Sequence, residues 1–402
     1  MLSSQNSVLA EEYLSGVWAH ESSIIEVGGL VCRMPLEAEI YKNTNLHISK
    51  RLHALLDSDD YSKEDCIPPS ISLSSSASTG GVASATKSKS SGIIEGSIDS
   101  TQIKDEDEEG DESNSSSSFS PLAAKTTYWY RGAEKLLKSE LVKIMSTANV
   151  NGKIAPEELD EESLEILQLY ISHQDSWQEV ALVVEKDEKS GSCTTLTINR
   201  PMAFKLSESL GRLVLFGGLK EQGAMINIKE SDGVETQNVV KFLSVFENEC
   251  AVYVGGPDDM DKPAKMIHGI NNLDGAVEIA SGTGIYIGKL NLYFCAYHMF
   301  NYLQSFLTFF KGGLEAAMDG ILSGKYKPLD FRFIVGNTKY IGGDLAAAVA
   351  AGKYQPVACS RPLVLKQCIQ LPKPLYHEVL EFCGGELREI SKLELSKRDD
   401  LQ

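Results

Sequence analysis

The sequence predicts an α+β fold with strands gathered in the middle of the chain, helices towards its end, and one long stretch that does not fold. Three observations carry this expectation. Residues 179–268 contain short β-branched or alternating apolar runs, each bounded by turn residues. Residues 314–383 contain longer runs of helical spacing that alternate with strands only near the end, which argues against a doubly wound parallel sheet. Residues 57–120 hold 14 acidic and 4 basic residues, −10 of the chain's net −18, within serine-rich sequence. Such a composition buries too little apolar surface to offset its conformational entropy.

Taken in order, the N-terminal segment (1–56) offers a strand at 24–32, carrying Gly28-Gly29, and a helix at 49–56. The linker (57–125) follows, with Pro68-Pro69, the serine tracts at 70–76 and 115–118, and the acidic run 105–112. It reads as a solvated spacer; serines beside carboxylates, such as Ser113, also match acidophilic kinase sites. Folding resumes in a helical hairpin (126–176). Its first helix, 133–145, sets Leu136, Leu137, Leu141 and Ile144 on one face. A turn at Asn149–Gly152 leads to a second helix from Pro156 to His173, with Leu159, Leu164, Leu167, Leu169 and Ile171 as its apolar positions. Glu157, Glu158, Asp160, Glu161 and Glu162 complement the dipole of its first turns.

From Trp177 the period changes. Strands are predicted at 179–185, 193–198, 212–216, 224–228, 250–254 and 264–268. A helical aromatic segment (292–309), a helix (314–323), a strand (330–335), a helix (344–351), a strand (357–365) and a helix (374–383) complete the domain, leaving a tail at 392–402. The apolar stretch 290–310 is interrupted by Asn291, His298, Asn301, Gln304 and Ser305, so it reads as a buried helix and not a membrane span of roughly 20 apolar residues. One pattern repeats: Gly312-Gly313, a helix, then Gly324-Lys325-Tyr326-Lys327-Pro328 is echoed by Gly342-Gly343, a helix, then Gly352-Lys353-Tyr354-Gln355-Pro356. Shared helix-to-strand turn grammar accounts for it; a duplicated α/β unit is the alternative.

The charge balance opposes binding to nucleic-acid phosphate. Eight cysteines without a C-x-x-C pair argue for free thiols in a reducing, intracellular compartment and against a zinc site. Residues 1–13 carry no Lys or Arg and no apolar core, so neither a signal peptide nor an Arg-rich transit peptide is expected there.

The motifs give no catalytic set. Asn199-Arg200-Pro201 and Gly255-Gly256-Pro257 each close a strand on a turn, and the alternative to a structural turn is a backbone nest for an anion. Gly282–Gly288 contains only G-x-G and lacks both the dinucleotide and the P-loop pattern. Asp258, Asp259 and Asp261 lack calcium-loop spacing and read as a solvated turn. His268 reads as a core histidine, or as a base near Gly255-Gly256 if their strands pair, but no nucleophile elbow accompanies it. No cofactor and no metal are expected.

In order, Ala181-Leu182-Val183-Val184, Leu196–Pro201, Val252–Pro257, Met266-Ile267-His268, Gly284-Ile285-Tyr286, Phe331–Gly336, Pro356–Ser360 and Gly384-Gly385-Glu386 resemble the YqgE/AlgH family. Upstream, Trp18-Ala19-His20 and Gly28–Val31 are similar to the opening of its eukaryotic, often plastid-associated members. The resemblance spans 177–391 plus the N-terminal strand. It implies a bifurcated sheet forming a pseudo-barrel with outer helices, completed by a strand from 1–56, and a cytoplasmic or plastid-stromal protein. It implies no established activity, so the expectation is a non-enzymatic regulatory or adaptor domain with a protein partner. The alternative is a small-molecule or nucleotide site, even an enzyme's, near Asn199, Arg200, Gly255, Gly256 and His268; Pro201, Pro257, Arg332 and Gly336 complete the candidate binding turns. Two departures stand out: the insertion before Trp177, and Asn337-Thr338-Lys339-Tyr340 where the family carries G-Y-A-G-W.

Overall fold

The computed structural model describes residues 16–57, 121–147, 156–218, 233–289, 291–292, 310–311, 313–368 and 372–397. Two six-stranded sheets form the frame. The first orders β1 (Ala19–Glu21), β14 (Tyr354–Cys359), β2 (Leu30–Arg33), β3 (Val180–Lys186), β4 (Cys193–Thr197) and β13 (Thr338–Tyr340), all antiparallel. The second orders β5 (Pro201–Ala203), β6 (Ala251–Val254), β12 (Phe331–Val335), β7 (Lys265–His268), β9 (Tyr286–Lys289) and β8 (Val277–Glu278); within it β6 and β12 run parallel.

The sheets fork where the chain passes from β4 to β5 and from β12 to β13. At the fork Gly255 donates to the Val335 carbonyl (2.7 Å), Thr197 to the Gly255 carbonyl (2.9 Å) and Val254 to the Arg200 carbonyl (3.0 Å). Between the sheets lies a shared core of Leu182, Leu196, Ala251, Tyr253, Ile267 and Ile334. The opposite face of the second sheet buries Val252, Met266, Phe331, Phe333 and Val335 under helices. Strands buried on both faces need continuous apolar runs. That is why β3 reads VALVV and β12 reads FRFIV, in which Arg332 alone breaks the apolar run.

The N-terminal strands join the first sheet, β1 beside β14 and β2 between β14 and β3. Of the predicted strand 24–32 only 30–32 is strand, in β2; residues 24–29 are a loop of bend and turn, β1 lies upstream of the prediction, and a helix the sequence reading missed, α1 (Leu36–Lys42), follows. The helix at 49–56 is α2 (His47–Asp57). The inserted helix is longer than its amphipathic stretch: α3 runs Pro121–Ser146, taking in 121–125 from the predicted linker. Its partner α4 (Glu161–Asp175) starts after Pro156, which lies in a short 3-10 turn; Asp160 caps it by accepting from Ser163 N–H at 2.7 Å. Ile166 is its buried apolar residue, whereas Ile171 is exposed. Helices α1 to α4 share a cluster of Ile40, Leu52, Leu137 and Ile166.

Other expectations are corrected too. Residues 212–216 belong to helix α5 (Glu208–Phe216), started by Ser207 accepting from Leu210 N–H, and α6 (Gly233–Phe246) was not foreseen. The predicted strand 224–228 and residues 293–309 of the predicted aromatic helix lie outside the described residues. At that helix's ends, Asn291–Leu292 (β10) pairs antiparallel with Phe310–Lys311 (β11). After α7 (Leu314–Leu322) and α8 (Asp344–Ala350), the strand expected at 357–365 is β14. It starts earlier and stops at Cys359, because Pro362 suits the first turn of the short α9 (Arg361–Val364). Helix α10 (Leu375–Cys383) is followed by α11 (Gly385–Ser396), so the predicted tail is helical to Ser396.

The repeated glycine pattern has one physical form. Gly324 donates to Ile321 (2.9 Å) and Lys325 to Gly320 (2.8 Å); Gly352 donates to Val349 (3.0 Å) and Lys353 to Ala348 (2.9 Å). Both helices therefore end in the same crossed pair of bonds, with glycine accepting the left-handed conformation.

Candidate functional site

The forked end of the sheets carries the candidate site. Strand β13 forms a wall there, and the two-residue period of a strand sends its side chains alternately to two clefts. Thr338 and Tyr340 line one cleft of about 490 Å³, and Asn337 and Lys339 line another of about 400 Å³.

The first cleft is also lined by Arg200, from the turn leaving β4, by Gly256, Pro257 and Met260, from the turn leaving β6, and by Glu179 and Tyr354. The Glu179 carboxylate accepts from the Thr197 hydroxyl (2.5 Å) and the Tyr354 hydroxyl (3.1 Å). Burial, then the Glu179 carboxylate, raises the Tyr354 phenol far above its ordinary value, and burial raises Tyr340. Both hydroxyls stay protonated donors at neutral pH. Arg200 is half-buried and makes no ion pair among the described residues. Arg200 shares the cleft with two phenols, Tyr340 and Tyr354, and with two carboxylates, Asp175 and Glu179; its guanidinium is the group there that can receive a planar oxyanion.

The other predicted residues divide. Asn199 is a structural clip: its Oδ1 accepts from Val180 N–H (3.0 Å) and its Nδ2 donates to the Gln178 carbonyl (2.8 Å). Pro201 opens β5, and Gly255 is buried between strands. Gly336 turns the chain from β12 to β13 at φ +76°, where a Cβ would stand 2.3 Å from the Gly256 carbonyl oxygen.

His268 is not near Gly255-Gly256, contrary to the base reading. Its strand does not pair with β6; it pairs with β12 and runs antiparallel to it, placing His268 opposite Phe331. Gly336 is five residues further along, about 16 Å at strand rise. His268 is fully buried, stacks on Tyr286 (5.7 Å between centroids) and accepts from Ile270 N–H at 3.2 Å. Burial lowers it to about 4, leaving it neutral. Arg332 shares that far end of β12. It is buried over the Tyr253 ring (5.4 Å) and donates to the Val364 carbonyl (2.8 Å).

Sequence reasoning missed Glu179, Thr338, Tyr340 and Tyr354 as cleft residues. The available signal was the Asn337–Tyr340 departure, which falls on the wall between the clefts. The Asp258–Asp261 turn is also less solvated than its composition suggested. Asp259 accepts from Asn337 Nδ2 (3.0 Å) and pairs with Lys262 and Lys339 (2.7 Å each). Those contacts, Asn337's first, hold it well below the usual carboxylate range.

Among the described residues no His/Cys/Asp/Glu group suits a metal ion. Ser391 and His377 approach at 3.1 Å (Oγ to Nδ1) but are both fully buried between α10 and α11. The described cysteines are free, and burial pushes Cys359 and Cys383 up to about 12, so neither is a thiolate at neutral pH. No described helix is long and apolar enough to cross a membrane.

Residues 166–388 match the model of the AlgH-like family. No curated protein matches the chain. Among solved structures it is similar to protein DIP2367 from Corynebacterium diphtheriae, at 14% identity over 53% of this chain and 82% of that one, with a TM-score of 0.31. It is also similar to the AlgH protein from Pseudomonas aeruginosa, at 17% identity over 47% and 70% of the two chains, with a TM-score of 0.25.

Proposed function

This chain belongs to the AlgH-like family, and from that premise we propose that it is a regulatory or adaptor domain that binds a carboxylate-bearing small molecule and does not transform it. The carrying observation is Arg200, without an ion-pair partner among the described residues, in the cleft formed by the two fork turns. Its fork of N–H donors suits a carboxylate, while Val254, Pro257, Met260 and Tyr340 offer apolar contact to the rest of the ligand. Glu179, already holding two hydroxyl donors, fixes Tyr354 at the cleft. Occupancy of the cleft is then read by a protein partner. The thiols suit a reducing compartment, cytoplasm or plastid stroma.

The test is a thermal-shift screen of aromatic and aliphatic carboxylates on the full chain, followed by mass spectrometry of the recovered ligand. A true ligand at a hundredfold over its Kd stabilises the fold by about 2.7 kcal/mol. Arg200→Ala should abolish that shift and His268→Gln should leave it. A shift indifferent to Arg200→Ala defeats the cleft assignment, and a converted ligand defeats the non-enzymatic reading.

A further inference from the structure

The Arg200 cleft holds more charge than a plain carboxylate would use. Asp175 and Glu179 line it together with the guanidinium, and none of the three has an ion-pair partner among the described residues. Two other cations stand behind the lining and are engaged there: Arg33 pairs with Glu39 (2.7 Å), and Lys353 donates to the Ser172 hydroxyl (2.9 Å). The charged lining is therefore formally net negative. A plain carboxylate seated on Arg200 would add a third negative group beside two that already repel it.

Both carboxylates have acceptor capacity to spare. Glu179 is half-buried and accepts one hydroxyl on each oxygen, from Thr197 and from Tyr354. A carboxylate offers about four acceptor positions, so about two remain on it. Asp175 is exposed and holds no donor among the described residues. It is the last residue of α4, where the negative end of the helix dipole favours a cation. Guanidinium and carboxylates thus stand unpaired in one cleft without pairing with each other, and a ligand that carries both charges satisfies all three.

We propose, resting on the carboxylate reading above, that the ligand is a zwitterion: an apolar α-amino acid or a short peptide with free termini. Its carboxylate sits on Arg200, and its ammonium, with three donors, on Glu179 and Asp175. Val254, Pro257 and Met260 receive the apolar side chain. A volume of about 490 Å³ suits either source.

The experiment is isothermal titration of the full chain at pH 7 with leucine, phenylalanine and leucyl-leucine. Alongside run 4-methylpentanoate and 3-phenylpropanoate, which keep the skeletons of the two amino acids and lack the amino group. At least one zwitterion should bind about tenfold more tightly than its des-amino acid, the worth of a charged hydrogen bond. The dipeptide binding more tightly than either amino acid identifies a peptide; the reverse identifies the free amino acid. Asp175→Asn, at an exposed residue and so harmless to packing, should shrink that preference about threefold or more without weakening the des-amino acid. Glu179→Gln should shrink it further, and Arg200→Ala should abolish binding of every compound. Des-amino acids that bind as tightly as the zwitterions, still dependent on Arg200, overturn the zwitterion and leave the carboxylate reading standing. A preference that survives both Asp175→Asn and Glu179→Gln also overturns it. Binding of none of the compounds, or binding indifferent to Arg200→Ala, defeats both readings.

Discussion

Gly336→Ala tests whether the fork between the sheets is as tight as the geometry requires. Gly336 has φ +76°, so any side chain there meets the left-handed backbone cost of about 1–2 kcal/mol. A Cβ would also stand 2.3 Å from the Gly256 carbonyl oxygen and 2.5 Å from Met260 Sδ. The thioether can swing away, but the carbonyl belongs to the turn that donates to Val335 and cannot move without opening the fork. Overpacking of this kind costs about 1–3 kcal/mol more. The sum is roughly 2–5 kcal/mol. Gly282→Ala is the control: its φ is +86°, yet a Cβ there has nothing within 4 Å, so it should cost only the backbone part, about 1–2 kcal/mol. Urea denaturation of both variants at pH 7 gives the comparison, provided m-values are unchanged. If the two midpoints fall by the same free energy within about 0.5 kcal/mol, the close approach of the two turns is not what holds Gly336, and the argument for the fork fails.

Three other outcomes follow from buried polar groups. His268, lowered by burial from an ordinary 6.5 to about 4, binds its proton more readily unfolded than folded; stability is therefore full above pH 6.5 and lost as pH falls towards 4. Its share is about 2–3 kcal/mol by pH 4.5, and His268→Phe should remove that share of the pH 7-to-4.5 slope in urea titrations while leaving that of His173, which burial lowers to about 3; Asp259 acts only below the usual carboxylate range. Arg33→Met strands the buried Glu39, its ion-pair partner at 2.7 Å, and should cost about 3–5 kcal/mol; adding Glu39→Leu should recover much of that in a double-mutant cycle. Asn199→Ala removes both its bonds to the start of β3, at about 1–3 kcal/mol, without weakening ligand binding at Arg200 in the thermal-shift assay.

The strands of the domain were legible wherever both faces are buried, because an apolar run such as 180–184 or 331–335 says so locally. The NRP and GGP turns were legible for the same reason: proline and glycine state their backbone conformations residue by residue. Short amphipathic pieces were not. Residues 212–216 fit a strand until Ser207, five residues before that run, is seen to cap a helix.

What the chain determines by itself is thus the inventory: an α+β domain, its doubly buried strands, its turns and its family. Only the tertiary structure decided which turns meet. β6 and β12 run parallel, so their exits bring Gly256 and Gly336 together, while β7 runs antiparallel and carries His268 to the opposite end. Strand direction and neighbour order are fixed by pairing between residues far apart in sequence, and local periodicity is the same either way round. The one-residue alternation of β13, which divides Thr338 and Tyr340 from Asn337 and Lys339, acquires its two clefts only once that pairing exists.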